Sequence, residues 1–261
     1  MKINGKTISK ISAMHYFKLV FRSLLFIGAC IMYIISRVQG SEVLFAPVEE
    51  DYPIIIWIIC AVFIIEMAMR FFPSNMESMG CRKQFKSVYR PAPGNPAPVV
   101  QSGKITALVA VVWCGFNAIF GVLHLCGIID YGIMFLLCLA YSVCDIICIL
   151  FFCPFQTWFM KNKCCGSCRI YNWDYAMMFT PLLFVKHVYT WLLLGLALAL
   201  LIHWEIIFHR YPERFSETTN LALRCENCPE KLCHHKKQLQ RFLKENPQLR
   251  KLAGIADKIK S

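Results

Sequence analysis

The stretch ITALVAVVWCGFNAIFGVLHLC at 105–126, followed after a short loop by GIMFLLCLAYSVCDIICILFFCPF at 132–155, decides the fold. Each run is as long as the about 20 apolar residues that carry a helix across a bilayer. Further apolar runs occupy 16–35 and 53–72, and a fifth extends over 175–209. With 57% hydrophobic residues and a mean hydropathy of +0.49, the chain is too apolar for a soluble domain. We therefore predict an all-α, polytopic membrane helical bundle of about five transmembrane helices, with the lipid bilayer as its surroundings.

The formal charge of +12 is distributed by loop, so it does not indicate a nucleic-acid partner. The loop 36–52 carries one arginine against four carboxylates. In contrast, 73–104 and 156–174 hold mainly lysine and arginine. Because cytoplasmic loops of membrane proteins collect Lys and Arg, we expect a multi-pass protein of the cell membrane with its N-terminus and both basic loops in the cytoplasm.

The apolar stretch 175–209 leaves two arrangements open. Thirty-five helical residues extend about 52 Å, well beyond one crossing, and Pro181 interrupts the run. In the first arrangement, a re-entrant piece at 175–186 precedes one span at 188–208, and the tail lies outside. In the second, the stretch turns back on itself and keeps the tail in the cytoplasm, although two full crossings hardly fit. The basic charge of the tail favours the second arrangement.

The tail differs in composition from the rest of the chain. We predict a transmembrane bundle at 1–209 and a basic, Cys/His-rich tail at 210–261. Asn246 before Pro247 is typical of a helix start, and the apolar residues that follow indicate an amphipathic helix near 247–260. This cytoplasmic tail is a candidate site for a protein partner.

Fifteen cysteines make the chain cysteine-rich, and seven polar-segment residues have the spacing of metal ligands. These candidate ligands are Cys164, Cys165, Cys168, Cys225, Cys228, Cys233 and His234. Four such ligands suit zinc, and thiolates from both segments suit an iron–sulfur cluster. Free reduced thiols remain the alternative. No βαβ pattern surrounds a Cys-x2-Cys pair, so a thioredoxin-type motif is not expected.

Ionisable and amide side chains inside apolar runs are candidates for function because the bilayer makes them costly. They are Glu66, Arg70, Asn117, His124, Asp145, His187, His203 and Glu205. Glu66 and Arg70 are four residues apart and are expected to pair. Two stripes at helical spacing run along neighbouring spans: Cys138, Ser142, Asp145 and Cys148 on one, and Cys114, Asn117, Gly121 and His124 on the other.

These stripes have three interpretations. Asn117 and Asp145, both placed near mid-depth, either join helices or line a polar chamber for a proton, an ion or a small substrate. His124 and His203 would hold haem if both lay near the outer surface. The absence of nucleotide-binding and hydrolase motifs leaves the reaction open.

The leading hypothesis is a membrane protein with a cysteine-ligated metal site, acting in membrane-linked redox or in metal or ion transport. The alternative is a non-catalytic membrane adaptor whose zinc-folded tail binds a partner protein.

Overall fold

The computed structural model describes residues 2–3, 6–7, 10–39, 54–75, 77–162, 164–228 and 230. This part of the chain is almost entirely helical, so the prediction of an all-α membrane bundle is confirmed. A two-residue antiparallel pair, β1 (Lys2–Ile3) and β2 (Lys6–Thr7), precedes the first helix. The predicted amphipathic helix near 247–260 lies outside the described residues, as do Cys233 and His234.

Among the described residues, four helices are long and apolar enough to cross a membrane. They are α1 (Lys10–Gln39), α4 (Gly103–Leu125), α5 (Tyr131–Leu150) and α7 (Val188–Arg210). A fifth apolar helix, α2 (Ile54–Met69), is shorter at 16 residues. The short α3 (Met79–Arg82) and α6 (Asp174–Met178) lie between these spans.

Helix α5 is shorter than the apolar run that predicted it. Asp130 caps its first turn by accepting the Ile133 N–H at 2.9 Å. The helix ends at Leu150, and a separate π-helical turn at Phe155–Phe159 follows Pro154. The residue before a proline is disfavoured in the helical conformation, which explains the break. Asp145 therefore lies about 8 Å from the end of α5, not at mid-depth as predicted.

Between α5 and α7 the chain forms a broken path, which we call the crossing segment (171–187). Three short helices compose it: Tyr171–Trp173, Asp174–Met178 and Thr180–Phe184. At its start, Asp174 binds Arg70, which follows the last residue of α2. At its end, the His187 ring lies 5.5 Å from that of Tyr131, the first residue of α5. The crossing segment thus runs from one end of the bundle to the other.

This path defines two ends of the bundle. The basic end carries the loops 73–102 and 151–170, and the opposite end carries the short loop 126–130. Helix α7 begins beside Tyr131 at the opposite end and returns to the basic end, where Glu205 binds Arg169 at 2.7 Å. The residues after α7 therefore lie at the same end as both basic loops, as in the second arrangement considered for 175–209.

The crossing segment also provides the centre of the main apolar core. Tyr175, Phe179 and Leu182 are almost fully buried among side chains of α2, α5 and α7. The Phe63 and Phe179 rings meet edge to face with centroids 5.4 Å apart. Helix α1 packs along α5, whereas α4 reaches the bundle mainly through the turn at Thr180–Phe184. At that contact the Phe184 ring covers Gly121, which leaves no room for a larger residue.

At the basic end, the chain after α7 packs on the loop that precedes α4. Asn220 is fully buried, and its side-chain oxygen accepts the Arg90 N–H at 3.2 Å. The Ala92 N–H donates to the Thr219 carbonyl at 2.9 Å. These bonds connect two segments more than a hundred residues apart, so they close the bundle at this end.

Candidate functional site

A cavity of about 300 Å³ lies at the basic end, between α4, α5, the loop 153–170 and α6. Seven of its lining side chains carry sulfur: Cys144, Cys148, Cys153, Cys165, Cys168, Met177 and Met178. Its other walls are mainly aromatic and acidic: Trp113, Tyr141, Phe155, Tyr171, Asp145 and Asp174. We call this space the thiol cavity.

The thiols on the α5 side form a close pair. Cys148 lies two residues before the end of α5, and Cys153 follows the break. Their side chains are hydrogen-bonded to each other. The Gln156 N–H donates to Cys153 Sγ at 3.4 Å. Cys148 and Cys153 are thus placed to act as a dithiol.

The loop on the other side of the cavity supplies a second pair in the sequence Cys165-Gly-Ser-Cys168. The Cys168 N–H donates to the Cys165 carbonyl at 3.0 Å, which closes a tight turn. Cys165 Sγ donates to Gln156 Oε1 at 2.9 Å. Gln156 therefore contacts a member of each pair, Cys153 through its N–H and Cys165 through its side chain.

Lys83 holds this loop in place from the inside. Its side chain is fully buried, and Nζ donates to the Gly166 carbonyl at 3.0 Å and the Cys168 carbonyl at 2.6 Å. Burial lowers the pKa of Lys83 to about 8, although the neighbouring cysteines oppose that shift. Burial raises the pKa of Cys168 to about 11, against the effect of Lys83. Cys168 is therefore a weaker nucleophile than an exposed thiol would be.

Two carboxylates face the thiols across the cavity. Asp174 Oδ1 binds the Arg70 guanidinium at 2.6 Å. The other oxygen, Oδ2, is buried and has no hydrogen-bond partner among the described residues. Asp145 Oδ2 lies 3.3 Å from Arg22 Nη1. One carboxylate oxygen of a residue that lines the cavity therefore lacks a hydrogen-bond partner among the described residues.

Arg22 connects this site to the rest of the bundle. The side chain is only 3% exposed, and it binds Glu66 at 2.6 Å as well as Asp145. Tyr175 donates its hydroxyl to Glu66 at 2.9 Å, and Lys18 lies 3.3 Å from the same carboxylate. Buried charges require such pairing because an isolated ion in an apolar interior is very costly. Helices α1, α2 and α5 are thereby joined by one ionic cluster.

The predicted pairing of Glu66 with Arg70 is wrong. Glu66 binds Arg22 and Lys18 rather than Arg70, because Arg70 extends toward Asp174 on the crossing segment. Packing against neighbouring helices sets how deep in the bundle each charged group lies. The four-residue spacing of Glu66 and Arg70 therefore does not determine their partners.

Of the three interpretations of the polar stripes, the contacts of Asn117 and Asp145 fit the joining of helices rather than a chamber between the stripes. Asn117 is fully buried, with its amide nitrogen on the Trp113 carbonyl and its oxygen on the Tyr141 hydroxyl. It belongs to the contact between α4 and α5, while Asp145 faces Arg22. Cys114 of the same stripe is exposed. The two stripes therefore do not face one another.

His124 and His203 do not face one another as the two axial ligands of a haem would. His124 Nδ1 lies 3.0 Å from the Ile129 carbonyl at the opposite end of the bundle. The His203 ring lies 5.4 Å from that of Phe71, which follows α2 at the basic end. Helix α7 runs toward the basic end, so these two rings are far apart in depth. His187 stacks on Tyr189, where α7 begins.

The described cysteines are not joined in disulfides. Within the described ranges, no three His, Cys, Asp or Glu side chains converge as ligands of one ion. Cys225 and Cys228 lie in the segment after α7, with Cys225 exposed. Because Cys233 and His234 are outside the described residues, the predicted set of metal ligands stays a prediction.

Sequence reasoning missed the dithiol and Arg22. Sequence spacing reveals only cysteines that are close together in the chain, whereas the cysteines of the thiol cavity come from a helix, a turn and a loop. Arg22 was counted with the basic residues that precede the first span. Its signal was the four-residue spacing from Lys18, which places two cations on one face of α1.

The fold and the site define a class: a multi-pass helical membrane protein with a thiol-lined cavity near one end of its bundle. No known protein family, curated protein or solved structure matches this chain.

Proposed function

We propose that the protein is a membrane-bound thiol oxidoreductase that acts through the two cysteine pairs of the thiol cavity. The observation that carries this proposal is the presence of both pairs, Cys148 with Cys153 and Cys165 with Cys168, on the walls of one cavity. The leading hypothesis from the sequence named membrane-linked redox or metal or ion transport. Of these two activities, the geometry supports redox better.

Exchange between the pairs needs no further reactant. A thiolate of the loop pair attacks the Cys148–Cys153 disulfide, and one new S–S bond forms as one breaks. The resulting mixed disulfide is opened by the second loop thiol, which leaves Cys165–Cys168 oxidised and Cys148 and Cys153 as thiols. Two electrons thus pass from the polar loop to the dithiol on α5.

Cys165 is the better attacking thiol of the loop pair. Cys168 is 6% exposed and has a raised pKa, whereas Cys165 is half-buried. A thiol partner in the surrounding water would reach Cys165 first, since the loop lies at the basic end. The loop charges indicate that this end is cytoplasmic, and in that compartment both cysteine pairs rest as reduced thiols.

The test is a titration of membranes with mixtures of reduced and oxidised dithiothreitol, followed by a maleimide reagent that adds mass to each remaining thiol. We expect Cys148 and Cys153 to be lost together at one potential, because both sulfurs enter the same bond. Cys148→Ser should abolish that step. The matched control, Cys144→Ser, changes a neighbouring cavity thiol outside both pairs and should keep it. The proposal is wrong if Cys148 and Cys153 stay reactive throughout.

A metal ion on the loop 164–168 is the second candidate function. The Gly166 N–H donates to Cys164 Sγ at 3.3 Å, and such bonds stabilise thiolate ligands. Zinc or an iron–sulfur cluster would then draw further ligands from Cys225, Cys228, Cys233 and His234, either for transport or to fold a tail that binds a partner protein. Metal analysis of the purified protein tests this candidate: Cys164→Ser should remove the bound metal, and Cys144→Ser should not.

A further inference from the structure

The thiol cavity opens toward the bilayer rather than toward the loops alone. Cys144, one of its lining residues, is exposed on α5. This residue lies about 9 Å inside the basic end of that helix. Ile147, on the next turn, is also exposed. A side chain exposed at this depth of a spanning helix faces hydrocarbon, so a molecule dissolved in the bilayer has direct access to the cavity.

The walls of the cavity suit a flat ring. The Trp113 ring lies 4.9 Å from that of Tyr141 and 5.7 Å from that of Phe155, and all three line the cavity. Aromatic faces and edges attract a further ring in stacked or edge-on contact. A volume of about 300 Å³ lies at the lower end of the range for small organic ligands.

The charged groups at the cavity limit the chemistry of this ligand. Asp145 and Asp174 line it but already bind Arg22 and Arg70, and none of the described lining residues is a cation, so the cavity offers no partner to an anionic headgroup such as that of a fatty acid or a phosphorylated cofactor. The unpartnered Asp174 Oδ2 instead fits a ligand that presents a hydroxyl group. A neutral ring that is reduced by a dithiol and thereby gains hydroxyl groups is a description of a quinone and its hydroquinone product.

We propose that the thiol cavity binds a membrane quinone and that Cys148 and Cys153 reduce it. The reaction balances without a further reactant: the two thiols lose two electrons and two protons and form one S–S bond. The quinone takes up both electrons and both protons and becomes the hydroquinone. This inference rests on the proposed function, because it names the lipid-phase substrate of the same dithiol.

The experiment uses the full chain in lipid nanodiscs, reduced, freed of reductant and mixed anaerobically with decylubiquinone. The loss of quinone absorbance gives the rate, and the maleimide reagent counts the remaining thiols. We expect up to two quinones to be reduced per chain. The first is reduced as Cys148 and Cys153 form a disulfide, and the second after Cys165 and Cys168 have reduced that disulfide and become oxidised themselves.

Two variants on α4 test whether the quinone occupies the cavity. Trp113→Leu removes an aromatic wall, and we expect the quinone concentration for half-maximal rate to rise roughly 2- to 10-fold. Phe116→Leu is the matched control, because Phe116 is 47% exposed and its ring lies 6.2 Å from that of Trp113, outside the cavity lining. Its kinetics should be unchanged. Equal effects of the two variants would place the quinone elsewhere and overturn the inference.

The outcome also separates this inference from the proposed function. If glutathione disulfide oxidises Cys148 and Cys153 while decylubiquinone is not reduced, the quinone inference fails and the dithiol remains. If neither oxidant removes these thiols, the proposed function fails as well.

Discussion

Arg22 illustrates how one side chain determines the arrangement of several helices. Its guanidinium binds Glu66 on α2 and Asp145 on α5, and it donates to the Ser142 carbonyl at 3.0 Å. Removing one partner from a buried ion cluster leaves the others unpaired, and this costs more than the pairs contribute net. A single substitution should therefore loosen three helices at once.

We expect Arg22→Met to lower the free energy of unfolding by about 3–5 kcal/mol, because Glu66 and Asp145 would keep buried charges without their main partner. Arg37→Met is the matched control. Arg37 is 68% exposed, and its distance of 3.8 Å from Asp130 is typical of a weak surface pair, so the change should cost no more than about 1 kcal/mol. Thermal unfolding in detergent, followed by tryptophan fluorescence, measures both. Equal shifts would show that the Arg22 cluster does not stabilise the bundle.

Among the elements, α4 is attached to the bundle mainly through the crossing segment. It contacts α5 through the Asn117–Tyr141 hydrogen bond and meets the crossing segment at Gly121 and Phe184. Small residues at such positions allow close approach, which replaces the hydrophobic driving force that is absent between helices in lipid. The thiol cavity lies between α4 and α5, so its shape depends on this contact.

Gly121→Ala should destabilise the bundle by about 1–3 kcal/mol, since the added Cβ would lie 2.3 Å from the Phe184 ring. Gly115→Ala is the control on the same helix. No atom lies within 4 Å of the Cβ that it would add, so it should be neutral or stabilising by up to about 1 kcal/mol. Thermal unfolding in detergent reports both changes. If Phe184→Leu fails to restore the stability of Gly121→Ala, the steric explanation is wrong.

For the molecule as a whole, the crossing segment sets the topology. Together with α1, α2, α4, α5 and α7 it makes six passes between the two ends. In the described part of the chain, four helices have the length and hydropathy of ordinary spans. An even number of passes brings the start of α1 and the end of α7 to the same end. There Ser12 donates to the Glu230 carbonyl at 3.1 Å.

We predict that Cys225 and Cys126 react from opposite sides of the membrane. In cysteine-depleted variants that retain one of these residues, an impermeant maleimide should label Cys126 in intact cells, because the loop 126–130 lies at the opposite end from the basic loops. Cys225 should react only after the membrane is opened. Both residues are exposed in the fold, so a lack of labelling would report sidedness rather than burial. Labelling of both from outside would contradict six passes.

The sequence by itself determined the class of the protein and most of its helices. Runs of about 20 apolar residues predict spans because the bilayer imposes the same length on every segment. This local rule placed α1, α4, α5 and α7 correctly. It failed for 175–187, which crosses the bundle as short helices packed inside protein, where the neighbouring helices replace the lipid.

Only the tertiary structure decided which side chains meet. Cys148, Cys153 and Cys165 come from a helix, a turn and a loop, and Arg22 finds its carboxylates on two other helices. Hydropathy gives each helix a length, but its rotation and depth are set by packing against neighbours. The partners of each thiol and each charge follow from that rotation, so they cannot be read from the spacing within one segment.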